Sequence, residues 1–272
     1  MTVPTRTEEI DRRSPRLRAP GSRSTGRRPA QSVNARNTTT RQTVLAHDNP
    51  ILRCTDMSTT TATTIRSIVL EVAGTASDVS AAEAFYAALG LADRIHVRGA
   101  ETPTSGFRGY ALSLVVPQPG NVDALIRAAL DGGATVLKPV TKSFWGYGGV
   151  LRAPDGAIWK VASSSKKDTG PAAMAYDDLV LLLGVENVKS TKQFYVEHGL
   201  PVAKSFGSKY VEFATPPQSV KFALYSRRAA AKDVGVDPDG SGSHRIAVQS
   251  DAGSFTDPDG FTWELPAADR IG

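Results

Sequence analysis

Two short apolar runs, IRSIVLEV at 65–72 and LVLLLGV at 179–185, are rich in β-branched residues and leucine and read as buried strands. A helical pattern follows each. Phe85, Ala88 and Leu89 fall at i, i+3 and i+4, as do Phe194, Glu197 and His198, and Gly90 and Gly199 stand where a left-handed C-terminal cap belongs. Strand-like runs come next: TSGFRGYALSLVV (104–116) after the first helix, KYVEFA (209–214) and VKFALYS (220–226) after the second. NVDALIRAALDGGA (121–134) is a further amphipathic helix that stops at a glycine pair. Pro154-Asp155-Gly156 and Pro258-Asp259-Gly260 are tight-turn sequences, because proline presets φ and glycine accepts positive φ. In the strands AIWKV and FTWEL that follow, alternation places Trp159 and Trp263 on one face and Lys160 and Glu264 on the other.

These elements repeat. DVSAAEAFYAALGL (78–91) is echoed by NVKSTKQFYVEHGL (187–200), and APDGAIWKV (153–161) by DPDGFTWEL (257–265). Duplication sets the architecture before any single element does. It predicts a domain over 64–165, a linker at 166–176, and a second domain over 177–268. The segment HRIAVQSDAGSFTDPDGFTWEL is too short for a helix and extra strands, so the last module of the second domain is expected to be truncated.

Composition changes the picture mainly at the N-terminus. The 272-residue chain carries a net charge of +5, yet residues 1–56 alone hold 11 Arg and 5 Asp+Glu, and the remainder is close to neutral. That segment has no aromatic residue and no hydrophobic period, so 1–63 is expected to be a disordered, Arg-rich tail. Met57 is an alternative natural start, with MSTTTATT leading directly into the first strand. A nucleic-acid partner is not favoured. Arg12-Arg13 and Arg27-Arg28 supply charge, but stacking aromatics are missing and five acids dilute the field. One cysteine, Cys54, excludes an intramolecular disulfide framework or thiolate cluster. No apolar window reaches the roughly 20 residues of a membrane span, and a cytoplasmic protein without a membrane partner is expected.

The FY-x-x-x-G-L helix ends, the WGYGG stretch at 145–149 before A-P-D-G-x-x-W, and the D-P-D-G-x-x-W-E ending resemble the vicinal oxygen chelate superfamily, which includes glyoxalase I, bleomycin-resistance proteins and extradiol dioxygenases. The resemblance covers about three quarters of the chain. It implies an α+β fold of two tandem domains, built from βαβββ modules whose curled mixed sheets form cups, with the ligand in a cup. It also implies a divalent ion in metal-dependent members, held by His, Gln or Glu near the start of each first strand and by a Glu after the turn. In the first copy those positions fall on Ser67, close to Ala111, and on Lys160, whose ammonium repels a cation. In the second copy they fall on Val180, His244 and Glu264. A non-haem iron site needs two His and one carboxylate, so no metal or other cofactor is expected beyond a weak divalent ion at His244 and Glu264.

The function that the resemblance implies is binding of a small organic molecule, as in the bleomycin-resistance branch, by a monomer or homodimer. An enzyme is the alternative: a glyoxalase-like lyase or a dioxygenase with Glu264 and His244 as catalytic residues, Glu264 serving as metal ligand or general base. A nucleic-acid-associated factor acting through the tail is a third class. Lys160 and Glu264 either face each other as an ion pair or reach solvent in separate cups. Other candidate ligand-binding residues are Ser67, the rim aromatics Trp145 and Tyr147, and the strand pair Tyr210 and Glu212. Arg108 and Tyr110 share another strand face, and Arg227-Arg228 and Lys166-Lys167 read as solvated charge.

Overall fold

The computed structural model describes residues 63–144 and 146–266. The expected tail with its arginine pairs and Cys54, and the rim residue Trp145, lie outside the described residues.

Four modules follow one another. The first holds β1 (Ile65–Val72), α1 (Ala76–Ala88) and β2 (Ile95–Gly99). After a short β3 (Thr104–Gly106) the second runs through β4 (Tyr110–Val115), α2 (Pro119–Asp131), β5 (Thr135–Ser143), β6 (Gly146–Arg152) and β7 (Ile158–Ser163). The third repeats that order in β8 (Asp178–Val185), α3 (Val188–Glu197), β9 (Val202–Ser205), β10 (Tyr210–Phe213) and β11 (Lys221–Ser226). A helix, α4 (Arg227–Val234), and β12 (Gly240–Gly242) lead to the fourth: β13 (Ile246–Ser250), β14 (Phe255–Thr256) and β15 (Thr262–Glu264). The second and third modules are complete βαβββ units whose first and last strands pair in parallel, β4 with β7 and β8 with β11. The first is reduced to strand, helix and parallel strand, and the fourth has no helix.

The fold is α+β with curled mixed sheets. The two complete modules join edge to edge through the antiparallel pair β4 and β8, giving one eight-stranded sheet in the order β5-β6-β7-β4-β8-β11-β10-β9. The two reduced modules join in the same way through β1 and β13, giving a five-stranded sheet ordered β14-β15-β13-β1-β2. Each sheet therefore takes strands from both 64–165 and 177–268, so strand pairing crosses the boundary that the sequence repeat marks. The repeat is nevertheless visible in side chains. Tyr86 of α1 donates to Asp155 at 2.8 Å and its ring lies 5.6 Å from Trp159. In the other copy Tyr195 of α3 donates to Asp257 at 2.6 Å and lies 5.3 Å from Trp263. Gly90 and Gly199 adopt φ of +72° and +80°, as their cap positions require.

One apolar core joins the inner faces of both sheets with α1, α2 and α3. It contains Ile68, Leu70, Tyr86, Leu112, Leu181, Phe222 and Trp263, all nearly solvent-free. Alternation along the strands then turns Ala111 and Ser113 of β4, Lys160 of β7, Val180 of β8 and Tyr225 of β11 onto the opposite, concave face of the eight-stranded sheet. The sequence pattern gave no warning of α4. Ser226 caps its start by accepting from the Ala229 amide, and Gly235 ends it at φ +80°. Ala230, Ala231 and Val234 are fully buried against Ala111, Val150 and Ile158, so α4 fills one end of the concave face. A side chain at Gly184 would stand 2.9 Å from Ala230 Cβ, so only glycine lets the helix come this close. Arg227, expected to be solvated, instead ties the helix down: Nε donates to Pro238 O at 2.9 Å and Nη2 to Phe107 O at 2.5 Å. Arg228 and the Lys166-Lys167 pair are exposed.

Candidate functional site

Beside α4 the concave face of the eight-stranded sheet opens into a cleft of about 580 Å³. Ser113, Val115, Gly148, Lys160 and Ala162 form its floor, and the β5–β6 hairpin with Tyr147 forms one wall. Lys160 projects from β7 into this cleft because Trp159 and Val161, on either side of it, are committed to the core. Its ammonium meets Asp233 of α4, with Nζ donating to Oδ2 at 2.9 Å and to Oδ1 at 3.1 Å. Both side chains keep about a third of their surface exposed, 37% and 35%. Lys138 Nζ donates to the carbonyl oxygens of Lys232 and Asp233 at 2.9 and 2.6 Å, which satisfies the C-terminal carbonyls of α4. Tyr147 donates to Asp123 of α2 at 2.8 Å, and this bond to a carboxylate raises the phenol's pKa.

Tyr210 and Glu212 lie on the same concave face, on the far side of α4. Tyr210 donates to Glu212 at 3.0 Å and its ring lies 5.0 Å from Tyr225. Burial, then the Glu212 charge, holds the Tyr210 phenol well above its ordinary range. Burial, then the Asp233 charge, likewise raises Tyr225. Lys160, Tyr147, Tyr210 and Glu212 thus belong to one sheet, although the sequence placed them in two domains.

Glu264 is elsewhere. It lies on the five-stranded sheet, where Arg98 of β2 bridges Glu71 of β1 at 2.7 Å and Glu264 of β15 at 2.9 Å. The Glu264 carboxylate, ahead of Glu71, holds the Arg98 guanidinium's pKa up. The expected alternative of a Lys160–Glu264 pair is therefore replaced by two separate pairs, Lys160 with Asp233 and Glu264 with Arg98. Ser67 is buried and donates to Gln249 Oε1 at 2.7 Å, and Gln249 is the in-register neighbour of Glu264. Arg98→Gln is expected to lower the unfolding free energy by only about 1 kcal/mol, since the group is half in solvent, and by less at high salt. Urea denaturation at two ionic strengths checks this.

His244 does not join Glu264. It precedes β13 at the end opposite Gln249, the in-register neighbour of Glu264, so the two residues lie at opposite ends of that strand. Its Nδ1 lies 2.6 Å from Arg108 O and its Nε2 2.9 Å from Asp259 O, with the ring stacked on Phe261 at 3.9 Å. Both ring nitrogens are turned to carbonyl oxygens, so neither is directed at a metal, and the histidine serves to tie three segments together.

The divalent ion that the resemblance implies can be tested against the donors present. Across the eight-stranded sheet, one pairing row reads Lys221, Val180, Ser113, Lys160. Two ammonium groups and no carboxylate do not fit a divalent cation. On the other sheet the row Ser67, Gln249, Glu264 offers oxygens, but the Arg98 guanidinium holds Glu264. Among the described residues no three His, Cys, Asp or Glu side chains converge. Sequence reasoning missed Ser113, Gln249, Arg98 and Asp233. The first two are in-register neighbours of residues that the sequence singled out, Ser113 of Val180 and Lys160, and Gln249 of Ser67 and Glu264. The last two act across long-range contacts that no local pattern announces.

No protein-family model and no curated protein sequence matches the chain. Among solved structures it is similar to glyoxalase I from Zea mays, at 12% identity over 74% of this chain and 91% of that one, with a TM-score of 0.48. It is similar to a glyoxalase/bleomycin resistance protein/dioxygenase family enzyme from Burkholderia phytofirmans PsJN, at 19% identity over 36% of this chain and 97% of that one, TM-score 0.30. It is also similar to a Mn(II)-bound glyoxalase from Novosphingobium aromaticivorans, at 18% identity over 75% of this chain and 82% of that one, TM-score 0.27. Among the described residues no helix is long and apolar enough to cross a membrane. On the strand order itself, two complete βαβββ modules joined edge to edge and flanked by two reduced ones, the chain has a fold of the vicinal oxygen chelate type.

Proposed function

We propose that the chain binds a small organic molecule in the cleft of the eight-stranded sheet, in the manner of a glyoxalase/bleomycin-resistance-type binding protein, and without a firmly held catalytic metal. The partner is a small molecule rather than a membrane or a nucleic acid. A volume of about 580 Å³ suits such a ligand. The observation that carries this reading is the Lys160–Asp233 pair on the cleft floor. A pair this exposed gains little from its own Coulomb attraction. A polar ligand group can therefore take over either partner with little loss. Ser113 and Tyr147 supply further hydrogen-bonding groups, while Val115 and Ala162 supply apolar surface. Catalysis by Glu264 and His244 receives no support from their positions.

Native mass spectrometry of the purified full chain tests the proposal. A co-purifying small molecule is expected on the wild type and lost, or weakened by about tenfold or more, in Lys160→Met, with thermal stability nearly unchanged. Equal retention by the variant would remove the cleft as the binding site.

A further inference from the structure

A second cleft, of about 390 Å³, lies between the end of β1, the flank of α1 and the Pro154-Asp155-Gly156 turn, and plays no part in the site above. Arg245 lines it. This arginine is 4% exposed and its backbone sits at φ +57°, a left-handed conformation that disfavours any residue with a side chain. Its guanidinium donates to Ala100 O at 3.0 Å and to Thr102 O, and its Nε is buried with no partner. Thr104 Oγ1, which lines the same cleft, is likewise buried and unpartnered.

Arg108 also lines the cleft, its Nη2 donating to Asp155 O at 2.6 Å. Neither arginine belongs to an ion pair among the described residues. The two carboxylates that border the cleft are engaged by the protein itself. Asp78 Oδ2 accepts from the Thr75 amide at 2.6 Å and hydroxyl at 2.8 Å, bonds that lower its pKa. Asp155 accepts from Tyr86 and from the Ala157 amide.

We propose that this cleft binds a small oxyanion, the carboxylate or phosphate group of a metabolite, between Arg108 and Arg245. Burying a guanidinium without an ion-pair partner is strongly unfavourable, and because Asp78 and Asp155 are engaged elsewhere an anion in the cleft supplies that partner. The planar fork of arginine matches either kind of oxyanion in two-point contact, and Arg108 has donors beyond the one that Asp155 O uses. The Thr104 hydroxyl adds a third donor on the same wall.

The test is titration of the full chain with acetate and with inorganic phosphate at low ionic strength, followed by calorimetry and by the melting temperature. One or both anions should bind saturably with a Kd below about 1 mM and raise the melting temperature, while chloride does neither. Preference for acetate identifies a carboxylate site and preference for phosphate a phosphate site. Arg108→Met, at a half-exposed position, should leave the anion-free melting temperature near wild type and weaken binding about tenfold or more. Arg245→Met should abolish it, and if that variant does not fold, Arg108→Met decides alone. Lys160→Met should bind the anion as the wild type does. Absence of saturable binding, or equal binding by Arg108→Met, overturns the proposal.

Discussion

Trp263→Ala is expected to lower the unfolding free energy by about 3–5 kcal/mol, the range for deleting a large buried aromatic. Trp263 is 1% exposed and stands where the two sheets and α3 meet. Its ring lies 5.3 Å from each of Tyr195, Phe222 and Phe255, stacked on the last. Its indole N–H donates to Tyr195 at 3.0 Å. These neighbours come from α3, β11 and β14, which are anchored separately, so the cavity left by alanine cannot close by a single shift. Equilibrium denaturation measures the loss, and a value below about 1 kcal/mol would mean that this region is not the packed centre described above.

Asp257→Ala should cost nearly as much, about 3–5 kcal/mol, for a polar reason. The carboxylate accepts from Tyr195 at 2.6 Å and from the amides of Asp259 and Phe261 at 2.9 and 2.8 Å, all at a position 5% exposed. Alanine leaves two buried donors, the Tyr195 hydroxyl and the Phe261 amide, and the half-buried Asp259 amide without an acceptor, at about 1–3 kcal/mol for each buried one. The effect has a pH signature. Burial raises the Asp257 pKa, although Tyr195 and the two amides pull the other way. The folded chain thus holds this proton more tightly than the unfolded chain does. The resulting stabilisation is fully present below the ordinary carboxylate pKa of about 3.9 and is lost as pH rises through the folded value. The gap between wild type and variant should therefore be widest in acid and narrow toward neutrality. A gap that widens with pH would mean that the hydrogen bonds outweigh burial.

What the sequence disclosed follows from what is local. Gly90, Gly199 and the two Pro-Asp-Gly turns are dictated by backbone conformation. Trp159 and Trp263 face inward because strand alternation leaves no other choice, and the repeated Phe-Tyr pairs lie against them. The apolar run at 104–116 hid a break at 107–109, so β4 was not recognisable as the start of a module, and with it went the pairing of β4 with β8. The helix α4 was masked by its own composition. Three alanines among Arg, Lys and Asp carry a weak hydrophobic signal, and their burial depends on Gly184 lying opposite. The partners of Lys160 and Glu264 are set by these distant arrangements. Charge alternation put both residues on the outward faces, but nothing near them in sequence names Asp233 or Arg98.

The crossing of strands between copies has a consequence for how the molecule is made. The eight-stranded sheet can close once β11 has left the ribosome, because everything it needs lies between β4 and β11. The first strand gains β2 early but not its other neighbour: Ile65 pairs with Ser250, roughly 180 residues later, and at about 5–20 residues per second it waits on the order of 10–40 s for that second partner. During that interval the apolar face of β1 depends on α1 and on the already assembled centre for cover, which makes synthesis of the middle of the chain the guard against aggregation of its beginning.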